Sequence, residues 1–257
     1  MDLGLKGKRA LVTGGSRGIG RAIVETLASQ GVHIALCARN ESGVQEALNA
    51  ARANGVQACG QAVDVTDGAG FAAWFGSAAA ELGGLDIVIN GAAGNFPVPA
   101  SQLSSNGFKA VLDIDLLGTF HVCRAAFEPL SKQGGVIVSI TATQAFVPTI
   151  LQAHVGAAKA GIEKLTKDLA LEWGSFGIRV NTIAPGPVAG TEGMARLAPG
   201  PMADALQHNL PLRRYATIDE IAEGILFLVS PAGSYITGAM LLMDGGMALL
   251  GGRIFEV

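Results

Sequence analysis

The stretch Thr13-Gly14-Gly15-Ser16-Arg17-Gly18-Ile19-Gly20 decides the fold of this chain. It follows the short apolar run Arg9–Thr13 and opens a helix-like pattern near residues 18–30. Glycines let the backbone turn sharply from a strand into a helix and approach a pyrophosphate, whose charge then lies on the helix N-terminal amides. The spacing differs from the G-x-G-x-x-G fingerprint, and strand-to-helix turns also use glycine for structure alone. Its position after the first strand favours a phosphate-binding turn.

Short apolar runs alternate with longer helical patterns along the rest of the chain. Runs that are apolar on both faces suit a parallel sheet covered by helices, so the alternation indicates a doubly wound sheet. We predict an α/β fold, a single-domain Rossmann-type doubly wound parallel sheet with helices on both faces, over residues 1–257. The predicted strands are Arg9–Thr13, His33–Cys37, Ala58–Val63, Leu85–Asn90, Val136–Thr141, Arg179–Ala184 and Ala239–Met243. The predicted helices lie near residues 18–30, 42–54, 68–82, 104–130, 154–175 and 217–229.

The segment from Pro185 to about Leu212 breaks this alternation. It holds several glycines and the prolines Pro185, Pro187, Pro199, Pro201 and Pro211. A long irregular excursion inside a compact domain is often a binding lid, so we expect a substrate lid at about 186–212.

Composition argues against several classes of protein. The charged fraction is 15% and the net charge is -3, so the charges indicate neither a nucleic-acid-binding surface nor a basic membrane-binding face. No apolar run reaches the length of a membrane span. Cys37, Cys59 and Cys123 lack metal-ligand spacing, so we expect no metal site and a reducing compartment. Because Met1–Lys6 has no long apolar region and Ile254–Val257 is not a peroxisomal signal, we expect the cytoplasm.

The end of the second strand distinguishes NAD from NADP. An acidic residue there would bind the ribose hydroxyls of NAD. This chain has Ala38-Arg39-Asn40 instead, and the first carboxylate follows at Glu41. Arg39 can hold a 2′-phosphate, and Arg17 in the glycine turn adds a second positive charge. Both arginines could also be solvated surface residues, but their joint placement favours NADP(H).

Motifs spread along nearly the whole chain resemble the short-chain dehydrogenase/reductase family. They are the glycine turn, Asp64-Val65, Asn90-Gly91-Ala92-Ala93-Gly94, Lys159, Pro185-Gly186-Pro187 and Asp244-Gly245-Gly246. The resemblance implies a Rossmann-type fold, usually in a homotetramer, with Asp64 and Val65 holding adenine and Lys159 binding the nicotinamide ribose. Together with the glycine turn and Arg39, the residues expected to bind NADPH or NADP are Gly14, Ser16, Arg17, Gly18, Ile19, Gly20, Arg39, Asn40, Asp64, Val65, Asn90, Gly91, Ala92, Lys159, Pro185, Gly186, Val188 and Thr191.

The catalytic set of that family, Asn, Ser, Tyr and Lys, is mostly absent. Ala142 stands at the serine position, Val155 at the tyrosine position and Asp115 at the asparagine position, so only Lys159 remains. Reduction of a ketone creates alkoxide character on oxygen and needs a proton donor there. The substitutions therefore argue against simple ketone chemistry.

Where the chain departs from the family, it is similar to the branch of peroxisomal-type 2,4-dienoyl-CoA reductases. That branch also lacks the serine and the tyrosine and carries an aspartate at the asparagine position. The similar sequence segments include Ala92–Phe96, Asp113–Asp115, Gln152–Lys159 and Gly190–Gly193. The similarity implies NADPH-dependent reduction of 2,4-dienoyl-CoA to 3-enoyl-CoA in the β-oxidation of unsaturated fatty acids, with an acyl-CoA thioester as substrate. The implied acyl-CoA contacts are Phe96, Ser104, Ser105, Asn106 and Arg196.

Asp115 is expected on the inward face of its helix. Apolar residues recur around it at three- and four-residue steps from Phe108 to Val122. A buried unpaired charge is costly, so Asp115 should be paired or protonated, and Lys159 is the natural partner. We predict that both are catalytic and that, with an ordered water, they deliver a proton and stabilise a dienolate. The alternatives are a structural ion pair or a helix-end carboxylate in contact with water.

The residues leave two other functions open. One is a reductase of another activated alkene or carbonyl with a relocated donor, such as His154, Thr141 or Thr143. His154 lies about 100° around its helix from Val155, so a structural role suits it better. The other is a non-catalytic NADP(H)-binding protein that senses redox state.

Overall fold

A seven-stranded parallel sheet forms the centre of the computed structural model, which describes residues 3–198 and 200–252. The strands are β1 (Arg9–Thr13), β2 (His33–Ala38), β3 (Ala58–Ala62), β4 (Ile87–Asn90), β5 (Gly135–Ile140), β6 (Ile178–Pro185) and β7 (Met240–Met243). Their order is β3-β2-β1-β4-β5-β6-β7, and every neighbouring pair is parallel. The predicted doubly wound α/β fold is confirmed. The predictions that involve Met1, Asp2, Pro199 and residues 253–257 lie outside the described residues.

Helices cover both faces of this sheet. They are α1 (Gly18–Ser29), α2 (Glu41–Arg52), α3 (Gly68–Glu81), α4 (Ser105–Val111), α5 (Gly118–Ser131), α6 (Ala153–Trp173), α7 (Glu192–Leu197), α8 (Pro201–Asn209) and α9 (Ile218–Val229). Within the described ranges, none of them is both long enough and apolar enough to cross a membrane.

Side chains that alternate along the strands build two separate cores. Val12 of β1 packs with Ile34 of β2 on the face that α1, α2 and α9 cover. Its neighbour Leu11 packs with Phe71 of α3 and Val122 of α5 on the opposite face. Because successive strand residues point to opposite faces, a strand between two helical layers must be apolar on both.

The strand order reverses between β1 and β4. The chain builds outward from β1 to β3 and then returns to the other side of β1 for β4 to β7. Thr13 and Asn90, the last residues of β1 and β4, are direct partners in the sheet. Ligand sites of open α/β sheets lie at such a point, outside the carboxyl ends of the strands. The glycine turn after Thr13 and the loop after Asn90 therefore border the same crevice.

The helix predicted near residues 104–130 is interrupted. Helix α4 ends at Val111, a π-helical segment covers Leu112–Leu117, and α5 begins at Gly118. The Thr119 hydroxyl of α5 donates to the carbonyl of Asp115, inside the segment, at 2.6 Å. Apolar spacing indicates a helix but does not reveal a π-helical insertion, which is set by hydrogen bonding and packing.

The segment 186–212 is less irregular than its prolines suggest. Thr191 caps α7, since its Oγ1 accepts a hydrogen bond from the Met194 amide at 3.3 Å. Pro201 is the first residue of α8. Proline is tolerated in the first turn of a helix because the amide it lacks has no partner within the helix. The expectation of an irregular excursion is therefore wrong for α7 and α8.

The close packing of the glycine turn gives a first testable prediction. A Cβ on Gly20 would stand 2.2 Å from the Gly14 carbonyl oxygen, so Gly20→Ala must displace the turn or α1. We expect the free energy of unfolding in urea to fall by about 1–3 kcal/mol. Gly76→Ala is the matched control, because a Cβ on this exposed glycine of α3 meets no atom within 4 Å. It should raise the free energy of unfolding by roughly 0.5–1 kcal/mol, and equal effects at both positions would contradict the packing.

Candidate active site

A cavity of about 1290 Å³ lies at the carboxyl ends of the central strands. It extends from the glycine turn past Asp115 and Lys159 to α7 and α8. The predicted site residues that line it are Gly14, Ser16, Arg17, Gly18, Ile19, Gly20, Arg39, Asn40, Asp64, Val65, Gly91, Ala92, Asp115, Lys159, Pro185, Gly186, Val188, Thr191 and Arg196. The predicted site residues that do not line it are Asn90, Phe96, Ser104, Ser105 and Asn106.

The glycine turn forms a cradle at one end of this cavity. Gly14 has φ 69° and Gly18 has φ 53°, a backbone region that favours glycine. A Cβ on Gly14 would stand 2.6 Å from the Gly91 carbonyl oxygen. Helix α1 begins here, and its N-cap Arg17 makes no capping hydrogen bond through its side chain. Its first amides can therefore receive a phosphate, and the cradle fits the pyrophosphate of a dinucleotide.

The two arginines predicted to bind phosphate differ in their contacts. Arg39 is exposed, lines the cavity, and has no carboxylate partner among the residues that the structure describes. Arg17 pairs with Glu192 of α7, and the same carboxylate pairs with Arg196. Arg39 is therefore free to meet a phosphate, whereas Arg17 would have to exchange Glu192 for one.

Side chains near the expected adenine position are held by their neighbours. Asn40 caps α2, because its Oδ1 accepts from the Gly43 amide at 3.1 Å. Asp64 Oδ1 accepts from the Thr66 amide and from its hydroxyl, both at 2.9 Å. Val65 is buried between these groups and the core. This rim of the cavity is therefore fixed by local hydrogen bonds.

Asn90 lies beneath the cavity rather than in its wall. Its Nδ2 donates to Ser139 Oγ at 2.9 Å and contacts Cys123 Sγ at 3.4 Å. The following amides, those of Gly91 and Ala92, donate to Thr13 Oγ1 at 3.2 and 3.3 Å. Asn90 therefore ties β4 to β5, and its predicted contact with the cofactor ribose stays a prediction.

Asp115 and Lys159 form a buried ion pair in the cavity wall. Asp115 Oδ2 lies 3.0 Å from Lys159 Nζ, and the side chains are 0% and 8% exposed. Asp115 Oδ1 accepts a hydrogen bond from the Gly94 amide at 2.7 Å. Lys159 Nζ donates to the Ile140 carbonyl at 3.1 Å. Both charges thus have backbone partners besides each other, which a buried pair needs because desolvation opposes it.

Apolar side chains flank this pair. Val155 lies one turn before Lys159 on α6 and packs against Val111 and Ala158. Ala142, after the end of β5, also lines the cavity. The structure therefore places two side chains without any proton donor where the family resemblance expects hydroxyl groups.

The two threonines considered as donors have different surroundings. Thr141 Oγ1 donates to Glu163 Oε1 at 2.6 Å, so its proton is engaged away from the cavity. Thr143 Oγ1 has only a long contact of 3.4 Å to Gln144 Oε1. Both threonines line the cavity, and Thr143 is the less engaged donor.

His154 is fully buried and does not line the cavity. Its ring packs against Phe96, with ring centroids 4.4 Å apart and ring planes tilted by 50°. Neither ring nitrogen has a hydrogen-bond partner within the described part of the chain. Burial lowers the pKa of His154, although the Phe96 backbone and the Asp115 charge act in the opposite direction. These surroundings favour a neutral imidazole at neutral pH.

Four predicted acyl-CoA contacts form a patch beside the cavity, around the start of α4. Ser104 caps α4, because its Oγ accepts from the Gly107 amide at 3.1 Å. Ser105 and Asn106 follow in the exposed first turn. Phe96 packs close to Gly107, where an added Cβ would stand 3.2 Å from its ring. Their contacts with a substrate stay predictions.

Several polar residues of the cavity wall were not predicted from the sequence, among them Glu192, Asn95 and Gln152. Glu192 and Asn95 both contact Arg196, the first by an ion pair and the second through its carbonyl at 3.3 Å. Gln152 lies two helical turns before Lys159, so a search for residues on the Lys159 face of α6 would have found it. Asn95 gave no such signal, because Arg196 is distant from it in sequence. Glu192 stands four residues before Arg196, a spacing that could have indicated this pair, but its contact with the distant Arg17 could not be foreseen.

The sheet, the glycine turn and the lysine on α6 define a class of nicotinamide-dependent oxidoreductases. The chain belongs to the short-chain dehydrogenase/reductase family, and the family model described as enoyl-(acyl carrier protein) reductase matches residues 14–248. A solved structure of a mutant Serratia marcescens short-chain dehydrogenase/reductase is 33% identical, with a TM-score of 0.89. That similarity covers 95% of this chain and 99% of the other.

Two curated relatives narrow this class. The peroxisomal 2,4-dienoyl-CoA reductase of Rattus norvegicus, named as (3E)-enoyl-CoA-producing, is 45% identical over 246 residues, which are 94% of this chain and 84% of that protein. A probable 2,4-dienoyl-CoA reductase of Bacillus subtilis strain 168, named as (2E)-enoyl-CoA-producing, is 41% identical over 247 residues, 94% of this chain and 97% of that protein. The predicted resemblance to this branch is confirmed, and the chain is an oxidoreductase.

The burial of His154 gives a prediction for stability against pH. Its pKa is lowered on folding, so the unfolded chain binds more protons once the pH falls below about 6.5. Stability is therefore complete above that value and is lost as the pH falls through it. We expect His154→Leu to flatten the decrease in the free energy of unfolding between about pH 7.5 and about pH 5.5, measured in urea.

His208→Leu is the matched control for that experiment, because His208 is exposed on α8. It corrects for the general effect of removing one histidine. If the two variants change the pH dependence equally, burial of His154 does not contribute to it.

Proposed function

We propose that this oxidoreductase uses NADPH to reduce 2,4-dienoyl-CoA to 3-enoyl-CoA, a step in the β-oxidation of unsaturated fatty acids. The observation that carries the proposal is the buried Asp115–Lys159 pair in a cavity where Ala142 and Val155 replace hydroxyl donors. The names of the rat and Bacillus relatives support the substrate class.

Conjugate reduction suits this site because its proton ends on carbon. The nicotinamide supplies a hydride, which adds to C5 of the diene. The negative charge spreads over C2, C4 and the thioester oxygen of a dienolate. Protonation at C2 then leaves the double bond at C3, whereas protonation at C4 would leave it at C2. No phenol at the carbonyl oxygen is required for either outcome.

Lys159 and Asp115 have separate parts in this proposal. The ammonium group of Lys159, anchored by the Ile140 carbonyl, supplies positive charge for the developing dienolate. Asp115, fixed by the Gly94 amide, orients a water that gives its proton to C2. The proton lost by the water is restored from solvent through the carboxylate.

NADPH rather than NADH is the proposed cofactor. Arg39 stands exposed at the carboxyl end of β2 without a carboxylate partner in the described residues. Asn40 beside it caps α2, so no acidic side chain occupies the position that binds ribose hydroxyls in NAD enzymes.

The remaining features of the proposal concern the whole molecule. We propose that residues 1–257 act as one reductase domain and that 186–212 is the substrate lid, because α7 and α8 contribute Met194, Met202 and Leu206 to the cavity wall. A homotetramer is proposed from the family resemblance, and a reducing compartment such as the cytoplasm is proposed from the three free cysteines. Native mass measurement and cell fractionation test these two points.

A comparison of substrates tests the proposed function. Purified protein and NADPH are mixed with 2,4-hexadienoyl-CoA, a 3-ketoacyl-CoA and a simple ketone, and loss of NADPH absorbance is followed. Oxidation with the dienoyl thioester alone is expected. Turnover of the ketones would instead indicate a carbonyl reductase with a relocated donor, and cofactor binding without any turnover would indicate a redox sensor. Deuterium from heavy water should appear at C2 of the product.

The carboxylate of Asp115 is tested by Asp115→Asn, which keeps the size of the side chain and an acceptor for Gly94. We expect kcat with dienoyl-CoA to fall by about a hundredfold or more, with NADPH binding unchanged. Asp113→Asn is the matched control, because Asp113 lies in the same π-helical segment and pairs with Lys109. Unchanged turnover in Asp115→Asn would exclude the proposed role.

The role of Arg39 is tested by Arg39→Asp. The change removes a phosphate partner and adds a carboxylate for ribose hydroxyls. We expect kcat/KM for NADPH to fall on the order of tenfold to a hundredfold, while kcat/KM for NADH stays equal or rises. NADH serves as the internal control, and an equal loss with both cofactors would contradict 2′-phosphate recognition.

A further inference from the structure

Gln152 shares the cavity-facing side of α6 with the catalytic lysine. It is the N-cap residue of α6 and lies two turns before Lys159, with Val155 between them. All three side chains line the cavity. Because Val155 is apolar, Gln152 is the first polar side chain beyond Lys159 along this face.

The carboxamide of Gln152 has an unused acceptor. The residue is 2% exposed, and its Oε1 has no hydrogen-bond partner among the residues that the structure describes. A buried acceptor without a donor costs stability, so such groups in native proteins usually meet a ligand or water. The orientation of this amide is therefore a feature that a ligand can explain.

That orientation is fixed by the backbone before α6. Gln152 Nε2 donates to the Leu151 carbonyl at 3.0 Å, and the Val98 amide donates to the same oxygen at 3.1 Å. Leu151 has φ 64°, a left-handed conformation that costs a leucine free energy. The two hydrogen bonds hold this carbonyl in place, so one N–H of Nε2 is engaged, while Oε1 has no partner among the described residues.

A second acceptor lies on the opposite loop. Asn95 lines the cavity, and its buried Oδ1 also has no partner in the described residues. Its backbone carbonyl receives Arg196 from α7. The hydrogen bond between Val98 and Leu151 joins the loop of Asn95 to the segment before Gln152. Two residues of the cavity wall thus each hold a buried acceptor without a donor in the described residues, and a ligand with an N–H or O–H group would supply one.

We propose that Gln152 Oε1, with Asn95 Oδ1 as second acceptor, binds the amide N–H of the pantetheine arm next to the thioester. This inference rests on the proposed function, since it takes the substrate to be an acyl-CoA. The reacting end of a dienoyl thioester offers only an acceptor, its carbonyl oxygen. The nearest donor in the substrate is the secondary amide that two methylene groups separate from sulfur. Gln152 is thus a substrate-positioning residue that sets the register of the thioester against Lys159.

Two truncated substrates and one substitution test this contact. The substrates are the 2,4-hexadienoyl thioesters of N-acetylcysteamine and of N-acetyl-N-methylcysteamine, which differ in the single N–H. With the unmodified protein, N-methylation should lower kcat/KM by about tenfold, the size of one buried hydrogen bond. With Gln152→Met, the N–H substrate should fall by a similar factor, and N-methylation should then have little further effect.

Control variants separate this role from a structural one. Gln61→Met makes the same chemical change at an exposed position of β3 and should retain the full response to N-methylation. Asn95→Ala leaves the Leu151 contacts in place and should reduce the effect of N-methylation on kcat/KM. If Gln152→Met does not fold, Asn95→Ala therefore still tests the contact. An equal response to N-methylation in Gln152→Met and the unmodified protein overturns the proposal. So does the absence of any response in the unmodified protein.

A binding measurement keeps the test independent of turnover. The saturated hexanoyl thioesters of the same two amines are titrated by calorimetry into the protein with NADP present. The N–H thioester should bind about tenfold more tightly than its N-methyl counterpart, and Gln152→Met should remove the difference. If dienoyl-CoA is not turned over but this difference appears, the proposed function fails and the contact stands. If dienoyl-CoA is turned over but the two thioesters bind equally well, the proposed function stands and the contact with Gln152 is excluded.

Discussion

The buried ion pair between Asp115 and Lys159 constrains the rest of the site. Removing two charges from water is expensive, and their attraction offsets this only when the remaining hydrogen-bonding capacity is satisfied. The structure gives each charge one backbone partner, the Gly94 amide for Asp115 Oδ1 and the Ile140 carbonyl for Lys159 Nζ. Among the described residues, Asp115 Oδ2 has only the ion pair with Lys159 Nζ. The loop after β4, the end of β5, the π-helical segment and α6 must therefore keep fixed relative positions. A shift in any of them would leave a buried charge without a partner.

The same pair accounts for the chemistry that the cavity can support. Ordinary members of the family donate a proton to oxygen from a tyrosine, and Val155 removes that possibility here. What remains is a fixed positive charge and a fixed carboxylate. Such an arrangement stabilises a delocalised anion and moves a proton through water, which is what conjugate reduction requires. Under the proposed function, the site lacks the hydroxyl donors that ketone reduction uses and holds the charged groups that conjugate reduction uses.

Helix α7, part of the proposed lid, is joined to the glycine turn by a weaker interaction than the buried pair. Glu192 of α7 pairs with Arg17 and Arg196, and all three side chains are largely exposed. Exposed ion pairs contribute little to stability, so a phosphate group can replace the carboxylate at either arginine without a large cost. The ion pairs of Glu192 are therefore contacts that a bound phosphate could exchange, unlike the buried pair of Asp115 and Lys159.

The sequence by itself determined the strands, the glycine turn and the inward face that carries Asp115, because these follow from local periodicity and from the conformational freedom of glycine. Arg39 could also be located from its place after the second strand. The cost of a buried charge predicted that Asp115 pairs with Lys159, and the family resemblance supplied the catalytic role predicted for both. Only the tertiary structure decided that Asn90 lies under the cavity, that a π-helical segment carries Asp115, that Arg17 meets Glu192, and that Gln152 and Asn95 present unused acceptors. These features depend on groups far apart in sequence, whose hydrogen bonds and desolvation exist only after the chain has folded.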